Sequence, residues 1–342
     1  MTNNLSQRIA SLDAIKSIAI VLVIMIHTSA PGYVSFGGQW HAALFYEAFS
    51  RISVPLFFMV TGALLLPREH SIHSITKRMQ RVLIPLVVWS FIYLIFNKYY
   101  FGTSTSGWLK HIIRGPILHL WFIYTLLGLY IFLPLLSRFF TSATLKEKLW
   151  ILSAWSIGAS IMPAFKGFFG FPLIGIDMLY VPIYAGYMLA GAVLHETLQK
   201  FVGKKASLLL ATVVWLIGLS MTIFLSWWKS IADSKYSMLF MDYNSPTVLI
   251  STLGAFAAIY LLPLNRNNNI FSKAPNYIGK QTLGIYLFHM IPLNIIAAIV
   301  RDNFLSINPW LYFLVVTFLT FITSVLIVSI IQRIPYLRAI CP

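Results

Sequence analysis

The chain alternates apolar runs of roughly twenty residues with short polar stretches, and ten such runs stand out, at 12–31, 50–67, 82–101, 118–137, 149–165, 178–195, 207–227, 246–264, 282–300 and 309–331. Each is close to the ~20 residues that an α-helix needs to cross the hydrocarbon core of a bilayer. The pattern predicts an all-α, polytopic membrane protein with about ten transmembrane helices. No Ser/Gly/Pro-rich linker or low-complexity tract interrupts it, so 1–342 is expected to be a single integral membrane domain. The runs at 149–165 and 178–195 are short. The segment "MPAFKGFFGFPLIGID" between them is rich in Gly, Pro and Phe, and reads as re-entrant or interfacial backbone shielded by protein.

Composition strengthens this picture. Hydrophobic residues make up 58% of the chain and charged residues only 10%, against about a quarter charged in soluble domains. The net charge of +16 raises the question of a nucleic-acid partner, and the placement of the cations answers it. With both termini on one side, that side's loops carry sixteen Lys and Arg, and the other side's loops carry seven. This bias is the positive-inside pattern, which places both termini in the cytoplasm and calls for no nucleic-acid module. The single cysteine, Cys341, allows no intrachain disulfide. Lys16 and His27, embedded in the first run, favour a retained span over a cleaved signal.

A few polar groups stand inside these apolar runs, where ionisable residues are costly and mark function by default. In "KSIAIVLVIMIH" Lys16 and His27 are separated by eleven positions, about three helical turns, so they share a face about 16 Å apart and are expected to line one cavity. Asp13, three residues before Lys16, offers it an ion pair. Glu47 and Arg51 form a favourable i,i+4 pair, expected at the outer edge of the second span. Lys77, Arg78 and Arg81 lie on a short loop before the third span, where Arg78 and Arg81 are spaced to grip a phosphate, although positive-inside bias alone accounts for them equally well. His119 and Trp121 are expected at the outer start of the fourth span, where an aromatic belt is the ordinary role of Trp. Tyr286 and His289 fall in the middle of another run.

The segments "LDAIKSIAIVLVIMIHTSA", "SRISVPLFFMVTGALL", "KRMQRVLIP", "HLWFIYTLLGLYIFLPLL" and "LGIYLFHMIPL", in this order, resemble the acyltransferase 3 family of integral membrane acyltransferases. The likeness is greatest to its short branch of O-acetyltransferases, which modify surface polysaccharides such as the enterobacterial common antigen. In that family an Arg, ten residues and an essential His mark the first helix, and Lys16 and His27 occupy those positions here. Lys keeps the charge and lacks the planar fork of Arg. The family's paired arginines before the third helix match Arg78 and Arg81. Longer relatives carry a Glu soon after "LWF", and "IYTLLGLY" has none here.

The resemblance implies a bacterial inner-membrane enzyme that moves an acetyl group from acetyl-CoA to a hydroxyl of a glycan or lipid-linked sugar, with no metal. His27 is the expected general base, because an unperturbed imidazole pKa of ~6.5 suits proton transfer near neutrality. Lys16 and Asp13 are expected to assist it, and Arg78, Arg81 and Lys16 to meet the CoA phosphates. If the acceptor lies outside, the face from Lys16 to His27 is the expected route for the acetyl group. A secondary transporter or a lipid-linked glycan flippase is the other reading of the same intramembrane charges, and would act without acetyl-CoA.

Overall fold

The computed structural model describes residues 2–104, 108, 118–173, 183–264, 270–304 and 308–342. The elements named below are helices: α1 (Thr2–Ser35), α2 (Trp40–Ser50), α3 (Ser53–Leu65), α4 (Ile72–Phe101), α5 (Trp121–Ser142), α6 (Leu145–Ser156), α7 (Met162–Phe169), α8 (Ala185–Leu198), α9 (Lys205–Ala232), α10 (Pro246–Leu261), α11 (Ile270–Phe288), α12 (Met290–Phe304) and α13 (Pro309–Ile331). Local sequence sets several of their ends. Ser71 caps α4 by accepting from the Ser74 N–H, and Gly102 ends it at φ +67°, where a Cβ would be strained. Thr144 and Glu147 close a capping box at the start of α6. Its hydrogen bonds from Thr144 hold the Glu147 carboxyl below the usual range.

Six stretches are long and apolar enough to cross a membrane: α1 over Ala10–Ser35, α2 and α3 together as Trp40–Leu65, α4, α5, α9 and α13. A seventh results if Lys273–Phe288 and Met290–Arg301, bent by 70°, count as one span. The expected count of ten is therefore not met among the described residues. The run at 149–165 is interrupted by a π turn at Ile157–Ile161, α8 has 14 residues and α10 has 16. Short apolar helices of this kind are stable where neighbouring protein covers their ends. Residues 174–182, which hold the end of the Gly/Pro/Phe-rich segment and the start of the 178–195 run, lie outside the described residues.

α1 is the hub. It packs against α2, α3, α10, α11, α12 and α13, and 72% of its most apolar window is buried, against 22% in α9 and 28% in α13. Those outer helices turn Leu209, Phe224, Phe318 and Leu326 outward, as an apolar solvent requires. Reciprocal glycines draw two helix pairs together. A Cβ on Gly62 would sit 1.9 Å from the Met188 carbonyl oxygen, and one on Gly191 would sit 2.1 Å from that of Met59, so α3 and α8 cross backbone to backbone. Gly218 and Gly254 do the same for α9 and α10.

Candidate active site

The hub places His27 where three chain segments meet. His119 precedes α5 and is 2% exposed, and His289 joins α11 to α12 at the 70° bend and is fully buried. The His27 ring centroid lies 5.8 Å from that of His119 and 5.4 Å from that of His289, and the latter two are 4.7 Å apart. The sequence places His119 and Trp121 at an outer aromatic belt, and the structure corrects this. The His119 ring meets that of His27, so α5 begins beside the first helix's histidine. Trp121 packs on Tyr184 and Tyr243 inside the protein.

Two tyrosines hold the cluster. The Tyr286 hydroxyl donates to the His119 carbonyl, and the Tyr93 hydroxyl donates to the Leu287 carbonyl at 2.6 Å with its ring edge-on to His119. Neither nitrogen of His119 meets a partner in hydrogen-bond geometry among the described residues, although the Tyr286 and Leu287 carbonyls lie beside the ring. The three imidazoles do not converge on one point. Among the described residues no group of three His, Cys, Asp or Glu could hold a metal ion.

Glu47 and Arg51 are also deeper than expected, at 1% and 8% exposure instead of at an outer edge. They form an ion pair at the junction of α2 and α3, where each neutralises the cost of burying the other. Ser29 donates to the second Glu47 oxygen at 2.7 Å, and the guanidinium sits 5.3 Å from the Tyr243 ring centre. Burial pushes the Tyr243 phenol up to about 12, so it stays neutral beside Arg51. Arg51 is close enough to act electrostatically on His27, and its Nε is buried with no hydrogen-bond partner among the described residues.

His27 is part of the wall of a cavity of about 490 Å³ whose polar lining includes Gln39, Asn294, Arg301 and Tyr312. The cavity lies toward the C-terminal end of α1, away from Lys16. Lys16 is not among the residues that line this cavity. Ile20 and Val23, between Lys16 and His27 on α1, are buried at 0% and 1% exposure. Lys16 instead pairs with Asp13 at 2.7 Å, as the spacing predicts, and Ser17 fastens that end of α1 to the Pro275 carbonyl.

Arg78 and Arg81 belong to neither group. They lie on the first turns of α4, about 22 residues before Tyr100 at the cavity, which is about 33 Å of helix. None of the ion pairs among the described residues involves them. Gln39, Asn294 and Arg301 escape a reading of the sequence, since each looks like an ordinary loop or interface residue. The signal that finds them is their place on segments that pack on α1: Gln39 precedes α2, and Asn294 and Arg301 lie on α12.

Helices crossing a membrane around a buried imidazole cluster define a class, the integral membrane proteins with an intramembrane polar site. A family model described as an acyltransferase domain (Acyl_transf_3) matches residues 9–329, nearly the whole chain, and the chain belongs to that family. It is a membrane acyltransferase. No curated protein and no solved structure matches it.

Proposed function

We propose that this enzyme is an O-acetyltransferase of the bacterial inner membrane that moves the acetyl group of acetyl-CoA to a hydroxyl of a cell-surface glycan or lipid-linked sugar. The observation that carries the reading is His27, an imidazole set among protein groups yet forming the wall of a cavity large enough for a sugar. Its nitrogen takes the proton of the attacking hydroxyl, the oxygen adds to the thioester carbonyl, and CoA leaves as the thiol. Arg51, with its free Nε nearby, supports charge in the same region. Arg78 and Arg81, which lack carboxylate partners among the described residues, receive the CoA phosphates near the start of α4, far along that helix from the cavity. With sixteen loop cations on the side of the termini, that end is cytoplasmic and the cavity opens outward.

Purified protein in liposomes, given labelled acetyl-CoA and a glycolipid extract, is expected to release CoA and transfer label to the glycolipid. Glycolipid crossing the bilayer without acetyl-CoA consumption would replace this reading with that of a flippase.

A further inference from the structure

His289 carries a constraint that its two neighbours lack. Its Nδ1 lies 2.7 Å from the Tyr286 carbonyl oxygen. A carbonyl only accepts, so Nδ1 carries the hydrogen. A neutral imidazole has one N–H, and Nε2 is therefore left with a bare lone pair. The charged groups around the cluster favour that neutral form. Arg51 is a cation, Glu47 is committed to Arg51 and Ser29, and Arg301 lies farther out in the cavity. Nε2 is buried and has no hydrogen-bond partner among the described residues. The bend does not consume it, because the helical bonds run through. The His289 N–H donates to Ile285 at 2.9 Å, and the Leu293 N–H donates to the His289 carbonyl at 3.0 Å.

We infer that His289 is a positioning residue for His27: its Nε2 lone pair receives an N–H of His27 and so turns the other His27 nitrogen, as a lone pair, toward the cavity. This rests on the reading of His27 as the general base. The 5.4 Å between the two ring centres brings them into contact, and the bond closes as substrate fills the cavity. When the acceptor O–H breaks, its proton goes to the cavity-side nitrogen. The existing His27 N–H remains on the other nitrogen, where His289 accepts from the imidazolium. As the C–O bond forms and the C–S bond breaks, that same proton passes to the departing sulfur, and both histidines end as they began. His119, edge-on to both rings, closes the cluster on the α5 side.

The test has two arms. ¹⁵N NMR of histidine-labelled full-length protein, with the His289 signals assigned by their loss in His289→Gln, is expected to show a protonated Nδ1 and an unprotonated Nε2. A proton on Nε2 overturns the inference. In kinetics with acetyl-CoA and glycolipid extract, His289→Gln still offers a side-chain carbonyl as an acceptor, whereas His289→Phe keeps bulk alone. The Phe variant is expected to lose about 10²-fold in kcat with KM for acetyl-CoA unchanged, and the Gln variant to recover to within about tenfold of wild type. Equal rates for the two variants overturn the positioning role alone. Wild-type protein that transfers no acetyl group overturns the proposed function together with this step. Should both variants unfold, the wild-type NMR arm decides, with His289 assigned instead by selective labelling of the His289–Met290 pair, the one His–Met pair in the sequence.

Discussion

The two ends of α1 solve the problem of a charge in an apolar setting differently. At the first, Lys16 and Asp13 satisfy each other at 2.7 Å, with the ammonium 20% exposed. At the second, His27 meets two more imidazoles, one of which, His289, has a buried Nε2 without a hydrogen-bond partner among the described residues, and opens onto a cavity. A pair that completes itself has little left to offer a substrate, whereas a group with unmet hydrogen-bonding capacity is chemically available. With His27 as the proposed base, the contrast would separate holding from reacting within one helix.

The largest expected effect tests the reactive end. His27→Ala should cut acetyl transfer by about 10²–10⁴-fold, the usual worth of a general base, while the purified protein keeps its size-exclusion profile. Normal turnover in a folded variant would make the two ends equivalent. Next comes the ion pair beside the cluster. Glu47→Ala leaves Arg51 buried and uncompensated, and should cost about 3–5 kcal/mol in unfolding measurements, while replacing both partners by Met should cost less. Arg78→Ala and Arg81→Ala should each weaken acetyl-CoA binding by about 1.5–3 kcal/mol, roughly 10- to 150-fold in Kd, with turnover kept. That loss should shrink with acetyl-pantetheine, which lacks the nucleotide.

A smaller effect is expected at the quiet end of α1. Lys16→Ala removes a partly exposed pair, worth about 1 kcal/mol or less, and should change donor affinity less than tenfold with kcat intact. A drop in kcat would reconnect the two ends. The last measurement changes no rate and fixes only which way each end faces. Cysteines at Ser74 and Lys204 should resist an impermeant maleimide in intact cells, and one at Asp233 should react. The native Cys341 stays silent, because burial pushes its thiol up to about 11 and little thiolate exists at neutral pH.

Much of this was legible in the chain. An apolar run long enough to span and broken by two polar residues marks α1 and His27, and the i,i+3 spacing predicts the Asp13–Lys16 pair. What stayed hidden depends on tertiary depth. A histidine beside a Trp at the head of an apolar run looks like an interface residue, and only the tertiary packing brings His119 to His27. Glu47 and Arg51 look like edge charges because hydropathy scores each residue alone, whereas burial is decided by the pair. Periodicity puts Lys16 and His27 on one face of α1, yet it carries no information on which side chains from other helices pack against that face.

The apolar face of α1 between Lys16 and His27 has a consequence for the cell. A continuous polar bore from Lys16 to His27 would be a wire for protons and small ions, and each elementary charge that leaked through it would dissipate ~2.3 kcal/mol per 100 mV of membrane potential. Ile20 and Val23, at 0% and 1% exposure, put apolar side chains on that face instead of polar ones. Under the proposed function such a lining disfavours ions yet is compatible with the neutral arm of an acyl thioester, so the build favours passage of acyl groups over passage of charge.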